Sequence, residues 1–481
     1  MPRLGLVGAV MGATLLLAAC STTVQGAPVS VFADPFKVAG MQAVDGPTGL
    51  REGIERNGRK VQQSDGGAID AIGGQAIADI EEFWADAYGT AFPGRTFRPV
   101  DALLSWDAAD YAGDFCGGDT YGFVNAAFCP IDNTIGWDRG VLLPALQQAH
   151  GDMAITMVLT HEYGHSIQKQ ARITKRGTST LVAEQQADCY AGAYMRWVAE
   201  DHSDRFTLST GDGLNTLLAG MITFRDPLLS ADDFVDPDGI DEHGSAFERI
   251  SAFQFGFTDG VAACRSIDAK EIAQRRGDLP VALQQGETGE WAVSEESVRS
   301  FIDALNMKFD PTPPPQLRFG AEAPACPDAR PSPPASYCPG TNTITVDLDG
   351  LAEMGSGAEE FGPAAPLSGD NSAYSVLVSR YMLALQQAHG GLALDTAEAA
   401  LRTACLTGVA TTILTQRVRT PDGDTIALTA GDLDEAVAGL LSNGLAASDV
   451  NGESVPSGFS RIDAFRTGVL GDQDRCLKRF P

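Results

Sequence analysis

The chain has 481 residues, a length at which more than one domain is expected. Charged residues make up 20% and hydrophobic residues 44% of the chain, as in ordinary soluble globular proteins. The formal net charge of −29 argues against nucleic acid and against anionic lipid headgroups as partners.

The N-terminus has the pattern of a lipoprotein signal peptide. Arg3 supplies a positive charge, an apolar run extends to Ala19, and Leu17-Ala18-Ala19-Cys20 is a lipobox. The run is too short to span a bilayer, and no later stretch is long and apolar enough to do so. Cleavage would leave Cys20 as a lipidated N-terminus. We therefore expect a protein that is lipid-anchored at the cell membrane, on its extracytoplasmic face. The alternative is an ordinary secretory signal with an incidental cysteine.

Three elements are predicted before the first chemical motif. Apolar residues at helical spacing predict an amphipathic helix from Ala68 to Tyr88. The glycine pair at 117–118 predicts a turn that leads into an extended segment ending near Phe128. The apolar residues 154–160 then predict a buried helix.

The end of this buried helix carries the motif H-E-x-x-H. His161 and His165 lie one turn apart on one face, so both imidazoles can reach the same metal ion. Glu162 is rotated by about 100° from His161, where a general base for a metal-activated water must lie. The motif alone also arises by chance in long chains. However, a buried helix would not normally carry these polar side chains in its next turn without a partner for them.

A second motif supports a metal site. Glu184 and Asp188 follow at helical spacing, and Glu184 would supply a third ligand from a second helix. Asp188 could hold a ligand histidine through the N–H group that does not face the metal. Two histidines and one carboxylate leave a fourth coordination position for water, which is typical of a catalytic rather than a structural Zn²⁺ site.

Together these motifs resemble the neutral zinc metallopeptidase family over roughly residues 70–270. The resemblance also rests on flanking residues: Phe128, Cys129, Pro130, Asp132, Ile135, Asp138, Cys189, Tyr190, His243, Gly244, Ser245, Arg249, Phe253, Gly256 and Cys264. It implies an α+β, zincin-like fold with Zn²⁺ as the cofactor and with His161, His165 and Glu184 as its ligands. Glu162 would be the general base of peptide hydrolysis. The whole chain, with its lipoprotein start, also resembles mycobacterial lipoprotein peptidases.

The family resemblance has two further implications. In zincins, an edge strand beside the metal-binding helix pairs with the substrate main chain, and the segment ending near Phe128 is our candidate for that strand. In zincins with a glutamate ligand, a downstream histidine or tyrosine stabilises the oxyanion of the tetrahedral intermediate. His243 is our candidate for this catalytic role, and the alternative is a structural loop histidine.

The cysteines indicate an internal duplication. Apart from Cys20 there are two sets of four, and the offsets between them are 210, 209, 216 and 212 residues. The ten residues that begin at Cys129 match those that begin at Cys338 at six positions. The first two cysteines of each set close short matched loops. In an oxidising compartment this predicts the following bonds: Cys116–Cys129, Cys189–Cys264, Cys326–Cys338 and Cys405–Cys476.

The second half of the chain lacks the predicted site residues. In the alignment of the halves, the site residues pair as follows: His161 with Ser379, Glu162 with Arg380, His165 with Leu383, Glu184 with Ala400, Asp188 with Ala404 and His243 with Val455. An arginine beside the vacated site would oppose any bound cation. We therefore predict a duplicated zincin-like domain whose second copy is degenerate. The sequence leaves open whether that copy only stabilises the first half by packing or also binds substrate or a partner.

The predicted organisation has four parts: a signal peptide at 1–19, an N-terminal linker at 20–66, a catalytic domain at 67–275 and a degenerate, non-catalytic copy at 276–481. The predicted function is a membrane-anchored zinc endopeptidase that hydrolyses a peptide or protein substrate with a metal-activated water. The alternative is a zinc-binding lipoprotein scaffold that acts as a binding module without proteolysis.

Overall fold

The structure, a computed structural model, describes residues 34–481 except 56, 111–112, 229–242, 286, 288 and 358–366. The predicted signal peptide and the lipobox cysteine Cys20 lie outside these residues. Among the helices of the described residues, none is long and apolar enough to cross a membrane.

The first half combines short strands with long helices. In chain order they are β1 (Lys37–Val38), β2 (Met41–Gln42), β3 (Gly49–Leu50), β4 (Val61–Gln62), α1 (Ala68–Ala91), β5 (Ala102–Trp106), β6 (Asp114–Phe115), β7 (Gly118–Asp119), β8 (Ala126–Cys129), β9 (Thr134–Asp138), α2 (Leu142–His150), α3 (Asp152–Ala171), α4 (Thr180–Ala199), β10 (Phe206–Thr207), α5 (Asp212–Ile222), α6 (Ala246–Asp259), α7 (Val261–Cys264) and α8 (Ala269–Arg276).

The second half has the same mixture, so the predicted α+β class is confirmed. Its elements are α9 (Glu295–Phe309), β11 (Gln316–Phe319), β12 (Ala335–Cys338), β13 (Thr343–Val346), α10 (Leu348–Met354), α11 (Asp370–His389), α12 (Ala397–Leu414), β14 (Val418–Arg419), β15 (Thr425–Ile426), α13 (Asp432–Ser442), α14 (Gly458–Val469) and α15 (Gln473–Arg479), with 3-10 helices at Pro339–Thr341 and Leu445–Ala447.

The main sheets of the two halves have matching local topology. In the first half the strand order is β4-β5-β9-β8, with β5 parallel and β8 antiparallel to β9. In the second half the order is β11-β13-β12, with β11 parallel and β12 antiparallel to β13. The hairpins β8–β9 and β12–β13 both turn through a left-handed asparagine, Asn133 (φ 59°) and Asn342 (φ 47°), a conformation that asparagine tolerates. Strands β8 and β12 are therefore the corresponding edge strands.

The helices also pack in matching order. Helix α4 packs on α3 and α6, and α12 packs on α11 and α14. Gly256 of α6 lies against the carbonyl oxygen of Cys189, and Gly468 of α14 lies against that of Cys405. A Cβ atom at either glycine would overlap with the carbonyl oxygen, so the close approach of these helix backbones depends on glycine.

Helix α1 supports the helices that carry the chemical motifs. The helix predicted over residues 68–88 is confirmed, and it extends to Ala91. On α1, the ring centroid of Trp84 lies 5.3 Å from that of Tyr190 on α4, and the ring centroid of Phe83 lies 5.7 Å from that of Tyr194 on α4. These edge-to-face aromatic contacts pack α4 against α1.

Strands β3 and β4, within the segment predicted as an N-terminal linker at 20–66, pair with strands of the first half. Strand β4 extends the sheet beside β5, and β3 pairs with β10. The Nε atom of Arg51 donates to the carbonyl oxygens of Ser203 at 3.1 Å and Phe206 at 3.0 Å. The strands in this segment have two residues each, too few to produce the alternating apolar pattern by which a strand is recognised.

The cysteines lie in the four expected pairs, with Cα–Cα distances of 5.4–5.7 Å: Cys116–Cys129, Cys189–Cys264, Cys326–Cys338 and Cys405–Cys476. In each half one pair includes the last residue of the edge strand, in β8 or β12. The other pair joins the central helix to a short helix near the end of the half, α4 to α7 or α12 to α15. The bonds therefore occupy corresponding positions in both halves.

The two halves contact each other directly. The Nε2 atom of Gln254 on α6 donates to the carbonyl oxygen of Phe459 on α14 at 3.0 Å. Asp434 on α13 accepts hydrogen bonds from the backbone N–H groups of Ala246 and Phe247, both at 3.0 Å. These N–H groups belong to the first turn of α6, where no carbonyl of the same helix can accept them. A carboxylate of the second half therefore caps a helix of the first half.

Candidate metal centre

Two long buried helices bring the predicted metal ligands together. Helix α4 begins at Ser179, whose hydroxyl accepts a hydrogen bond from the backbone N–H of Val182 at 3.4 Å. Gly164 of α3 faces Ala187 of α4, and a Cβ atom at Gly164 would come within 2.9 Å of the Ala187 Cα atom. The missing side chain at Gly164 therefore lets the H-E-x-x-H turn of α3 reach the turn of α4 that carries Glu184.

The side chains of His161, His165 and Glu184 converge on one point. The Nε2 atom of His161 is 2.9 Å from Glu184 Oε2, and the Nε2 atom of His165 is 3.4 Å from Glu184 Oε1. The two imidazole rings are nearly perpendicular, with centroids 5.0 Å apart. His161 and Glu184 are buried, whereas His165 is half-buried, so the cluster can be approached from the side of His165.

Asp188 holds His161 on the side away from the cluster. The Nδ1 atom of His161 is 2.8 Å from Asp188 Oδ1. Arg249 donates to both oxygens of Asp188, from Nε at 2.9 Å and from Nη2 at 2.7 Å. Burial opposes ionisation of Asp188, but the charges of Arg249 and His161 outweigh burial and lower its pKa to about 2. Because an ionised carboxylate only accepts, the Nδ1 atom of His161 donates to Asp188, and Nε2 is the nitrogen that faces Glu184.

Gln168 holds the second histidine, a role that the sequence analysis missed. Its Oε1 atom is 3.1 Å from His165 Nδ1, and its Nε2 atom donates to the carbonyl oxygen of Ala183 at 2.6 Å. The Nε2 atom of His165 is again the nitrogen that faces Glu184. Gln168 lies three residues after His165 on one helix, so helical spacing is a signal that could have found it.

Glu162 lies between the cluster and the edge strand β8. Its Oε2 atom accepts a hydrogen bond from the backbone N–H of Phe128 at 3.0 Å. Burial raises the pKa of Glu162 above its ordinary value, against the charges of His161 and His165. A carboxylate whose pKa is raised toward neutral pH is better suited to accept a proton and then release it.

His243 reaches the cluster from a third element, the turn before α6. Its Nε2 atom is 3.6 Å from Glu184 Oε2, and its ring centroid is 6.2 Å from that of His161. The carboxylate of Asp226 fixes this turn by accepting the backbone N–H groups of His243 at 3.0 Å and Gly244 at 2.8 Å. The sequence analysis missed Asp226, because a contact across 17 residues leaves no periodic signal.

The three histidines approach Glu184 differently. Glu184 Oε2 faces both His161 and His243. One potential metal-binding atom from each of these three residues lies within 4.8 Å of the other two. His165 instead faces the other oxygen, Oε1. The cluster therefore contains a carboxylate with histidine nitrogens on both sides.

The charges in this cluster are strongly coupled. Burial opposes protonation of His161, but Asp188 and Glu184 outweigh burial and raise its pKa to about 10. The pKa of His165 is also raised, by its interactions with Glu184 against burial. Hydrogen bonds from both histidines hold the pKa of Glu184 far below its ordinary value, again against burial. Positive charge is therefore strongly favoured at the point where these side chains meet.

These residues fit a zinc ion. Two imidazole nitrogens and a carboxylate form the ligand set of catalytic zinc sites, and they leave a coordination position for water or substrate. Both histidines have their Nδ1 atoms held, by Asp188 and by Gln168, as is usual for histidines that bind zinc through Nε2. The pKa shifts around Glu184 favour positive charge there, as the binding of a cation requires.

The corresponding position in the second half holds an arginine. Arg380 is fully buried, and its guanidinium donates to the carbonyl oxygens of Asp449 at 3.2 Å and Leu445 at 3.1 Å and to Ser448 Oγ at 2.8 Å. Burial lowers the pKa of Arg380 to about 10, against the charge of Asp449. A positive side chain therefore lies where the first half has its candidate base.

Comparison with known proteins finds bacterial relatives that are themselves named only as uncharacterized proteins. The chain is similar to the uncharacterized protein YpfJ of Escherichia coli K12, with 27% identity over 212 residues that cover 41% of this chain and 70% of YpfJ. It is also similar to the uncharacterized protein Rv2575 of Mycobacterium tuberculosis H37Rv, with 28% identity over 199 residues that cover 35% of this chain and 61% of Rv2575. No solved structure matches the chain.

The sequence pattern of one protein family covers more than half of the chain. It matches residues 8–267, and the family is described as "putative neutral zinc metallopeptidase". The matched range includes both helices that carry the candidate ligands, the edge strand β8 and the turn that carries His243. The protein thus belongs to the family of neutral zinc metallopeptidases.

Proposed function

We propose that this protein is a zinc-dependent endopeptidase whose first half is catalytic and whose second half is a degenerate copy. The observation that carries the proposal is the convergence of His161, His165 and Glu184 on one point, with Glu162 beside them. His161, His165 and Glu184 would hold the metal. When bound, Zn²⁺ polarises a carbonyl oxygen and lowers the pKa of water to about 7.

The residues around the metal supply proton transfer and orientation. Glu162 takes a proton from the attacking water as the water oxygen bonds to the peptide carbonyl carbon. Glu162 then gives this proton to the amine nitrogen as the C–N bond breaks. His243 donates a hydrogen bond to the developing oxyanion. We assign His243 this role rather than a fourth ligand, because a catalytic zinc site keeps one coordination position open.

The edge strand β8 is the proposed binding site for the substrate main chain. Its pairing partner β9 lies on one side, and no strand of the described residues pairs with its other side. The N–H of Phe128 in β8 already reaches Glu162, which places this edge beside the base. A peptide added to β8 as a further strand would present its carbonyl groups to the site. Strand addition requires no free chain end, which favours an endopeptidase.

Corresponding contacts in both halves support the proposal of a degenerate copy. Gln168 contacts Gln186 in the first half, and Gln386 contacts Arg402 at the matching positions of the second. Arg461 corresponds to Arg249, but it donates to the carbonyl oxygens at 441 and 455 instead of to an aspartate. The framework of the zincin-like domain is thus repeated, while its ionisable ligands are replaced.

The decisive experiment for catalysis is Glu162→Gln in the full chain. Purified protein is offered an unbiased peptide library, and zinc is measured by elemental analysis. The variant should retain zinc and lose about 10²–10⁴-fold in turnover, because it loses the base and no ligand. Asp86→Asn, which removes an exposed carboxylate on α1, is the control and should hydrolyse peptides normally. A wild-type protein that binds zinc but cleaves nothing would favour the scaffold alternative.

We further propose that the protein is anchored to the membrane through Cys20. The support is the lipobox at 17–20 behind a short apolar run. Cys20→Ala should release the protein from membranes or leave it unprocessed. Intact-mass analysis of the mature wild type should find lipid on its N-terminal residue, and an N-terminus without lipid would refute the anchor.

A further inference from the structure

We propose that the second half contains a binding site for a hard divalent cation of the calcium class, formed by Glu290, Asp370 and Glu435. One carboxylate oxygen from each of these residues lies within 4.8 Å of the other two. Asp370 begins α11 and Glu435 lies in the first turn of α13, so the site joins the N-termini of two helices. Asp370 and Glu435 are buried, and Glu290 is exposed at the entrance.

A buried oxygen whose neighbour is another acid points to a proton or a cation. Asp370 is only 6% exposed, no N–H or hydroxyl donor of the described residues reaches its Oδ1 atom, and its carboxyl lies within hydrogen-bonding reach of the carboxyl of Asp432. Its other oxygen accepts the backbone N–H of Trp291. A buried carboxylate oxygen without a donor is costly, so the fold requires either a proton or a cation at this oxygen.

The surroundings offer no basic partner. Within the described part of the chain, no lysine, arginine or histidine forms an ion pair with Asp370, Asp432 or Glu435, and the charges that act on these three carboxyls come from other acids. Arg417 lines the same cavity, but it pairs with Glu287 at 3.3 Å. In the described residues, no basic side chain therefore balances the charges of Asp370, Asp432 and Glu435 through an ion pair.

The fold provides room for an ion and its water ligands. A cavity of about 260 Å³ opens beside the cluster and is lined by Glu290, Asp370, Thr429 and Asp432 among others, but not by Glu435. Gly369 makes space for the neighbouring carboxylate, because a Cβ atom there would overlap with Glu435. The donors are all oxygens, which is the preference of Ca²⁺ and not of zinc. The site is therefore distinct in chemistry from the metal centre of the first half.

The proposed cation would act on the contact between the halves. Glu435 follows Asp434, whose carboxylate caps α6 through the N–H groups of Ala246 and Phe247. Helix α6 begins at Ala246, three residues after His243. A cation that fixes the first turn of α13 would thus stabilise the cap beside the catalytic cluster.

The experiment compares calcium and proton as occupants. Full-length, zinc-loaded protein in calcium-free buffer is titrated with Ca²⁺ by calorimetry, and its Tm is measured with and without Ca²⁺. Calcium should bind the wild type and raise its Tm by about 2–4 °C. Glu435→Gln should bind calcium at least about tenfold more weakly and lose the rise in Tm. Without calcium its Tm should equal or exceed that of the wild type, because a charge is removed from a repulsive cluster.

Two further variants keep the test decisive. Glu290→Gln changes the exposed member of the cluster, where the core is not disturbed, and it should also weaken calcium binding. Glu322→Gln removes an exposed carboxylate elsewhere in the second half, and it should respond to calcium like the wild type. An unchanged wild-type Tm, or an equal response in all four proteins, would overturn the proposal and identify protons as the occupants.

Discussion

At the residue scale, the candidate zinc site depends on the side chain that holds the Nδ1 atom of each ligand histidine. Asp188 and Gln168 hold the Nδ1 atoms of His161 and His165, so that both Nε2 atoms face Glu184. Arg249 in turn holds Asp188 in its ionised form. Each candidate ligand histidine therefore has its direction fixed before a metal binds, which lowers the conformational cost of binding.

We predict that zinc binding releases protons. The pKa of His161 is raised to about 10, so the metal-free protein carries a proton there at neutral pH. Zinc binds only the neutral ring, so a rise in pH removes the competitor and strengthens binding. Between about pH 6 and 8, zinc affinity should rise about tenfold per pH unit for each proton released. Calorimetry in buffers of different ionisation enthalpy counts these protons.

Asp188→Asn tests the cause of this linkage. The variant removes a charge that raises the pKa of His161, so it should release fewer protons on binding zinc. It should also bind zinc about 10–100-fold more weakly, as expected for loss of a partner behind a ligand. The exposed Asp86→Asn variant should match the wild type in both respects. Equal proton counts in all three proteins would contradict the assignment of Asp188.

At the element scale, the important feature is a helix of the first half that is capped from the second half. Asp434 supplies the acceptors for the first two N–H groups of α6, immediately after the turn that Asp226 fixes. This arrangement gives the second half a structural influence on the position of His243. The cap could not be found from sequence, because the two contacts span 188 and 187 residues.

We predict that Asp434→Ala lowers turnover without loss of zinc. The change leaves the N–H groups of Ala246 and Phe247 without acceptors, which should cost about 0.5–2 kcal/mol of folding free energy. It should also loosen the turn that carries His243, and misplacement of a catalytic group can slow turnover by up to about 100-fold. Denaturant unfolding, zinc content and kcat are the measurements.

The matched control for this prediction is Asp472→Ala. Asp472 also caps a helix, by accepting the N–H of Arg475 at 2.8 Å, but that helix is α15 of the second half. Its replacement should reduce stability and leave kcat unchanged. A normal kcat in the Asp434→Ala protein would show that the cap between the halves has no part in positioning the site.

At the scale of the whole molecule, the protein has two halves with similar frameworks and unequal chemistry. The matched sheet topology, helix contacts and cysteine pairs all survive in the second half. Its buried Arg380 donates to backbone carbonyls at the position aligned with Glu162, the proposed base of the first half. In the proposed degenerate copy, packing still constrains the framework residues, whereas an unused metal site would impose no such constraint.

We therefore predict one tightly bound zinc per chain. Elemental analysis of the full chain should find about one zinc, because among the described residues only those of the first half form the ligand set of two histidines and a carboxylate. His161→Ala should remove most of this zinc, whereas Ser379→Ala, at the aligned position of the second half, should leave it unchanged. Two tightly bound zinc ions per chain would contradict the prediction that the first half binds zinc and the second does not.

The sequence determined the features that depend on local spacing or on identity between the halves. The H-E-x-x-H turn and the Glu184-to-Asp188 turn follow from the helical period, which places such residues on one face of a helix. The α+β class, helix α1 and the four cysteine pairs also followed from period, composition and the repeated cysteine pattern. These signals are local in the sequence or are repeated in both halves of it.

Only the tertiary structure decided the features that depend on distant contacts. Arg249 behind Asp188, Asp226 under the His243 turn and Asp434 on α6 are all brought to their partners by folding over long separations in sequence. The same is true of the carboxylate cluster of the second half, whose members come from a loop and two helices. The physical reason is that a single long-range contact leaves no periodic trace in the sequence, and only packing of the surrounding helices fixes it.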